Sequence, residues 1–223
     1  MTQFGVLRFP GSCDEVDALL ACERVGDAKI IWHADTDLGD VDAIVVPGGF
    51  SYGDYLRVGS IARFAPAMAK VQEFAAAGGP VLGICNGFQV LCEAGLLPGA
   101  LLANEGLRFL CRQVDVEVVN AETAWSGAAH TGDVLSIPVK HTTGRYFAPP
   151  EMLERLEAEG QIVFRYASGH NPNGSLGDVA GVSNERGNVV GLMPHPEHAV
   201  DPLTGSTDGL KLFESAARAL AAA

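Results

Sequence analysis

The sequence predicts an α/β fold with a mostly parallel, open sheet flanked by helices and a small antiparallel addition. In the first half of the chain, short apolar segments of strand length alternate with longer segments of helical character. This alternation is typical of parallel strands joined by right-handed crossover helices. In the second half, segments 114–119 and 134–139 have the character of antiparallel strands.

The predicted elements of the first half follow the apolar segments closely. In chain order, we expect strand 4–9, helix 14–25, strand 30–32, strand 43–46, a helix near 61–77 and strand 81–84. Functional groups of parallel sheets gather at the carboxyl ends of the strands. The residues that directly follow these strands are therefore the first candidates for chemistry.

The predicted elements of the second half are shorter and separated by turns. After the two antiparallel strands we expect helix 150–159, strands 162–166, 179–182 and 189–192, and a closing helix from about 208 to 222. Turn sequences at 171–174 and 186–188 lie between the later strands.

Length and composition favour one domain that spans residues 1–223. The 223 residues are 48% hydrophobic, which is enough for a sizeable core. No export signal is visible at the N-terminus, and the uncharged stretch 74–92 is broken by Gly78-Gly79-Pro80, which argues against a membrane span. Five cysteines without Cys-x-x-Cys spacing argue against disulfides and structural zinc, so we expect a cytoplasmic protein.

The charge balance excludes one broad class of partner. The chain has 27 acidic residues against 15 lysines and arginines, with no basic cluster. Such a surface disfavours non-specific binding to nucleic acid or to anionic membranes, and neither is expected as a partner.

The segment 80–89 has the pattern of a nucleophile elbow, a sharp strand-to-helix turn that exposes a reactive side chain. An apolar strand runs into Cys85, which is framed by Gly83 and Gly87. Glycines at these two places allow close backbone packing, and the N-terminus of the following helix favours a thiolate. Cys85 is therefore the candidate nucleophile.

An inert cysteine is the alternative, because free cysteine is usually a small buried hydrophobe. The glycine frame and the strand-to-helix position favour a reactive Cys85. The other four cysteines lack such a frame and are expected to be structural; they are Cys13, Cys22, Cys92 and Cys111.

A second concentration of reactive side chains follows strand 189–192, in the sequence Met-Pro-His-Pro-Glu-His at 193–198. A thiol nucleophile needs a base, and the base needs an acceptor that holds it in place. His195 and Glu197 can supply both, since side chains at i and i+2 of an extended or turn segment point to one side. A metal site formed by His195, Glu197 and His198 is the weaker alternative, because Pro196 interrupts a helical ligand face.

Three further positions concern oxyanion stabilisation and partner contact. Acyl chemistry needs two backbone amides aimed at a developing oxyanion. The amides of Asn86, directly after the nucleophile, and of Gly49, at the end of strand 43–46, are the candidates. His141, in a predicted polar loop with Thr142 and Thr143, is a candidate to support the site or face a partner.

The motifs Gly-Ile-Cys-Asn-Gly-Phe-Gln at 83–89 and Pro-His-Pro-Glu at 194–197 resemble those of the class I, or triad, glutamine amidotransferases. The resemblance implies a flavodoxin-like sheet and a cysteine glutaminase. It also implies a triad of Cys85, His195 and Glu197, oxyanion amides of Gly49 and Asn86, and glutamine-binding residues Gln89 and Phe50.

Longer segments resemble one subfamily, the glutaminase subunits of phosphoribosylformylglycinamidine synthases. They lie at 9–12, 48–57, 144–146, 171–175 and 184–189, and so extend along nearly the whole chain. Two positions depart from the subfamily: no asparagine lies between Ser12 and Cys13, and Thr142-Thr143 replaces a Gly-Glu pair.

The subfamily resemblance implies a place in purine biosynthesis. Ammonia would pass to a large synthetase subunit, with a small accessory subunit also present. The chain itself has no phosphate-binding motif, so no cofactor or metal is expected in it, and ATP and Mg²⁺ are expected on the synthetase. The alternatives are a cysteine hydrolase or chaperone-like protein of related fold, which Gln89 and the His195/Glu197 pair disfavour, and a regulatory subunit with a dead site, which the intact triad disfavours.

Overall fold

The computed structural model describes residues 1–222, which form a large mixed sheet flanked by helices and a small separate sheet. The strands are β1 (Gln3–Arg8), β2 (Asp27–Trp32), β3 (Ala43–Val46), β4 (Val81–Ile84), β5 (Ala100–Ala103), β6 (Leu110–Val118), β7 (Val134–His141), β8 (Thr143–Phe147), β9 (Ile162–Tyr166), β10 (Val179–Ser183) and β11 (Val189–Leu192). The helices are α1 (Glu15–Cys22), α2 (Pro66–Ala76), α3 (Asn86–Glu93), α4 (Pro150–Ala158) and α5 (Leu210–Ala222).

The main sheet has nine strands in the order β2-β1-β3-β4-β11-β10-β9-β6-β7. The first five pair in parallel, as expected for a doubly wound sheet, and the predicted parallel α/β architecture is confirmed. The remaining pairings are antiparallel and continue the same sheet. The central strands β3, β4 and β11 are buried along their whole length, which explains their uninterrupted apolar sequences.

Two short strands were not predicted from the sequence. β5 and β8 pair antiparallel in a separate two-stranded sheet, and β5 is half-buried to exposed. Their pattern is weak because neither faces the main core along its full length. His141, expected in a polar loop, is instead the last residue of β7, where pairing with Leu110 extends the strand, and β8 takes up most of the predicted loop.

Some elements begin at other residues than predicted, because strand pairing or a proline, rather than the apolar pattern, sets where they begin. β2 begins earlier than predicted because Asp27 pairs with Gln3 of the neighbouring strand. The predicted helix near 61–77 is divided into a short 3-10 turn, Ala62–Phe64, and α2, which begins at Pro66. Proline is favoured in the first helical turn because it has no N–H to leave unpaired. Among the helices of residues 1–222, none is both long and apolar enough to cross a membrane.

Helix α3 packs directly on the central strands, and this contact depends on Gly87. A Cβ atom at Gly87 would lie only 1.8 Å from the backbone oxygen of Val46. A Cβ at Gly83 would likewise meet Leu91 Cδ1 at 2.5 Å. The two glycines therefore set how closely the helix approaches the sheet.

We expect Gly87→Ala to lower the free energy of unfolding by about 3 kcal/mol, since backbone rather than a flexible side chain would have to move. Urea unfolding monitored by circular dichroism measures the change. Gly106→Ala is the matched control, because Gly106 has no atom within 4 Å of an added Cβ. Equal stability of the two variants would contradict this account of the helix contact.

Candidate active site

Cys85 occupies the sharp turn between β4 and α3, as the predicted elbow requires. Its backbone has φ 50° and ψ −103°, a conformation that L-residues rarely adopt. The amide of Cys85 donates a hydrogen bond of 2.8 Å to Leu192 O, at the end of the adjacent strand β11. The residue is 6% exposed and lines a cavity, so a buried strained turn presents its thiol to a small space.

His195 and Glu197 follow β11, the parallel neighbour of β4. Leu192 pairs with Ile84, so the residues after both strands emerge at the same edge of the sheet. His195 Nδ1 lies 2.6 Å from Glu197 Oε1, and both side chains are buried. The pair therefore has the geometry of a base held in one orientation by a carboxylate.

The electrostatics of His195 favour its protonated form. Burial lowers the pKa of this imidazole, but the charges of Glu197 and of a Cys85 thiolate outweigh burial and raise it above its usual value. The Nε2 atom is buried and has no nitrogen or oxygen partner within residues 1–222. It is free to exchange a proton with the thiol or with a bound substrate.

The two amides proposed for the oxyanion hole lie on segments that are joined to each other. Within residues 1–222, neither the Gly49 nor the Asn86 amide donates a hydrogen bond, and Ser51 N donates to Asn86 Oδ1 at 3.1 Å. Gly49 has φ 146°, and a Cβ there would lie 2.7 Å from Gly11 O. Only glycine fits at this approach, and its amide stays available for a substrate oxygen.

Gln89 and Phe50, predicted to bind glutamine, both line the cavity beside Cys85. The cavity has a volume of about 140 Å³. Gln89 Nε2 donates to Thr143 O at 2.5 Å and its Oε1 accepts from Asn86 Nδ2 at 3.1 Å, so the side chain is fixed while one N–H and one lone pair remain free. Phe50 is half exposed at the rim. The binding roles of both residues remain predictions.

The geometry agrees with a family similarity that covers almost the whole chain. The sequence profile of the CobB/CobQ-like glutamine amidotransferase domain matches residues 2–218. The chain belongs to this family.

Individual relatives show similarity to one kind of subunit within this family. The chain is 59% identical to the phosphoribosylformylglycinamidine synthase subunit PurQ of Rubrobacter xylanophilus over 212 residues, which is 95% of this chain and 96% of the relative. Identity to the subunit of the same name in Nocardia farcinica is also 59%, over 96% of this chain and 95% of the relative.

Solved structures show the same relation. A chain of the PurLQS structure from Thermotoga maritima matches with a TM-score of 0.90 and 41% identity, covering 98% of this chain and 99% of that one. A glutamine amidotransferase from the same organism has a TM-score of 0.58 at 16% identity, covering 99% of this chain and 92% of that one. The second match shows a common fold alone.

Asp14 is a member of the site that the sequence did not reveal. Its carboxylate binds the ammonium of Lys140, and Oδ1 lies 3.3 Å from His198 Nε2. Its other oxygen, Oδ2, lies 3.7 Å from Nδ1 of His195. Burial alone would raise the pKa of this carboxyl, but His198, His195 and Lys140 together hold it far below its usual value.

The sequence context of Asp14 explains why its place in the site was not predicted. It is the N-cap residue of α1, where aspartate is common for local reasons. Its side chain makes no capping hydrogen bond and turns into the site instead. Its location between the carboxyl end of β1 and the start of α1 was the only sequence signal.

A metal site at this cluster was the weaker alternative from the sequence. One donor atom from each of Asp14, His195, Glu197 and His198 lies within 4.8 Å of the others. However, Lys140 already neutralises Asp14, and Glu197 is held by His195. These contacts favour a network of ion pairs and hydrogen bonds around His195.

His141 lines the same cavity but differs from His195 in charge. Its ring is packed against Gly144, and Nε2 lies 3.4 Å from Asn173 Nδ2. Burial first, and then the nearby His195, lower the pKa of His141 to about 4. The ring is neutral near pH 7 and supports the segment that contacts Gln89.

Proposed function

We propose that the chain is the glutaminase subunit of a phosphoribosylformylglycinamidine synthase. In this proposal it hydrolyses glutamine to glutamate and ammonia and delivers the ammonia to a synthetase partner. The partner then converts formylglycinamide ribonucleotide to formylglycinamidine ribonucleotide with ATP. The observation that carries the glutaminase chemistry is the juxtaposition of Cys85 with the His195–Glu197 pair at one cavity.

The reaction follows from the roles of these groups. The Cys85 thiolate attacks the side-chain amide carbon of glutamine, and the oxygen becomes an oxyanion bound by the amides of Gly49 and Asn86. His195 gives its proton to the departing nitrogen, so ammonia leaves and a glutamyl thioester forms. Water, deprotonated by His195, then attacks the thioester and releases glutamate and the thiol.

A partner is part of the proposal because of the chemistry of ammonia. In water near neutral pH, most ammonia becomes ammonium, which has no lone pair to attack an activated substrate. The relatives are named as subunits of a synthase, and one solved relative is part of PurLQS. We propose a large synthetase subunit and a small accessory subunit as partners.

The other parts of the proposal concern cofactors and location. ATP and Mg²⁺ are placed on the synthetase partner, because this sequence contains no phosphate-binding motif. The chain is proposed to need neither cofactor nor metal of its own and to act in the cytoplasm, where thiols stay reduced. Nucleic acid and membranes are not proposed as partners.

Turnover should depend on assembly, since an uncoupled glutaminase would waste glutamine. We expect the isolated chain to release glutamate roughly 10²–10³ times more slowly than the assembled enzyme, a loss of the size that misplacement of one oxyanion donor causes. Glutamate release is measured for the chain alone and then with both partner subunits, ATP and formylglycinamide ribonucleotide. Full activity of the isolated chain would contradict the coupling, and no activity in either state would contradict the proposed function.

A further inference from the structure

The glutamine cavity contains a carboxylate that the reaction described above does not use. Asp54 ends the 3-10 turn Ser51–Asp54, which follows Gly49, and its half-buried side chain lines the cavity together with Cys85 and Gln89. Its one side-chain hydrogen bond among residues 1–222 is a long contact of 3.5 Å from Asn86 Nδ2 to Asp54 Oδ1.

Asp54 differs from the other acidic group of the cavity in having no cationic partner among the described residues. Two cationic groups line the cavity, and both have other partners: Lys140 is bound to Asp14, and the His195 imidazolium is bound to Glu197. Burial raises the pKa of Asp54 to about 6, and no neighbouring positive charge opposes this effect. A carboxylate in this state gains stability from any cation that enters the cavity.

The backbone around Asp54 is held in an unusual conformation. Tyr52, Asp54 and Leu56 all have positive φ, with values of 55°, 54° and 67°. Such residues are rare and gather at ligand-binding sites, where the surroundings hold them in place. Here the Tyr52 hydroxyl lies 2.6 Å from His33 Nδ1, and Tyr52 N donates to Pro10 O at 2.6 Å.

We propose that Asp54 binds the α-ammonium group of glutamine and so selects an α-amino acid as substrate. This inference rests on the proposed function, which places the side-chain amide of glutamine at Cys85. The α-ammonium at the other end of the same small molecule must then lie within the same cavity. Asp54 is the carboxylate of that cavity that no lysine or histidine neutralises in residues 1–222.

The test compares two substrates that differ only in the α-ammonium group. L-Glutamine carries it, whereas glutaramate, the same carbon chain with a hydrogen in its place, does not. In the assembled enzyme, we expect Asp54→Asn to lower kcat/KM for L-glutamine roughly 10- to 100-fold, as for the loss of a charge-assisted hydrogen bond. For glutaramate, kcat/KM should change by less than about threefold, because the lost interaction has no counterpart in that substrate.

The control is Asp40→Asn, which removes the same charge from an exposed loop and should leave the preference for L-glutamine intact. If Asp54→Asn retains the wild-type preference, or loses activity equally on both substrates, Asp54 does not recognise the ammonium group. Asp54→Glu, which keeps the charge, should retain more of the preference than Asp54→Asn. Wild-type enzyme that releases no glutamate from glutamine would instead overturn the proposed function itself.

Discussion

Cys85→Ala should abolish glutamine-dependent amidation in the assembled enzyme while leaving amidation from added ammonia intact. Removing the nucleophile of a triad enzyme costs up to about 10⁶-fold in turnover, since no covalent intermediate can form. The synthetase site lies on another chain in the proposal, so a high concentration of an ammonium salt should restore product formation. Formylglycinamidine ribonucleotide is measured with each nitrogen source in turn.

The two nitrogen sources make this prediction specific. A cysteine hydrolase that works alone would leave the synthetase reaction unchanged by the mutation. A regulatory subunit with a dead site would show no special loss at Cys85. Cys22→Ala is the matched control, because Cys22 is a buried cysteine of the core, and burial raises its pKa far above the usual value. If the Cys85→Ala enzyme used glutamine at the wild-type rate, Cys85 would not be the nucleophile.

Glu197→Gln should lower glutaminase turnover by up to about 10⁴-fold, the loss found when the acid of a serine triad becomes its amide. Glu197 Oε1 accepts the proton of His195 Nδ1 at 2.6 Å, and its charge helps to raise the pKa of His195. The amide has the same shape but no charge, so the pKa of His195 should fall. The imidazolium form, which is lost as pH rises through that pKa, should then be lost at lower pH than in the wild type.

The measurement is the pH profile of glutamate release, together with thermal unfolding of the isolated chain. In Glu197→Gln, the part of the profile that reflects ionisation of His195 should move toward lower pH. The unfolding temperature should change little. Glu185→Gln is the matched control, since Glu185 is exposed in the turn before β11 and does not line the cavity that contains Cys85 and His195. Near-normal turnover of the Glu197→Gln variant would contradict the proposed role of Glu197 in the triad.

Much of the fold was predictable because its signals are local. The parallel half of the sheet follows from apolar strands alternating with helices, and β3, β4 and β11 have the predicted bounds. The strands β5 and β8 escaped prediction because a half-exposed pair outside the main sheet has no strong apolar pattern. His141 was misplaced in a loop because cross-strand pairing with Leu110, which no local pattern encodes, extends β7.

The residues of the site also divide into those that a local sequence pattern predicts and those that it does not. Gln89 and Phe50 could be named from motifs, whereas Asp14 could not, and Asp54 lies in the matching segment 48–57 without a predicted role. Asp14 has the sequence context of a helix cap, and Asp54 that of an ordinary turn. Their proximity to Cys85 depends on how distant segments pack, and a polar residue in a loop carries no sign of that packing.

The sequence by itself determined the two reactive segments of this protein. The elbow at Cys85 is set by its flanking glycines, and the His195–Glu197 pair lies within three residues of chain, so both depend on local geometry. The tertiary structure alone decided that they meet. Parallel pairing of β4 with β11 brings together strands separated by more than a hundred residues, and the N-cap of α1 adds Asp14 beside them. Strand order and register arise from burial of whole faces against one core, a property of the complete chain rather than of any one segment.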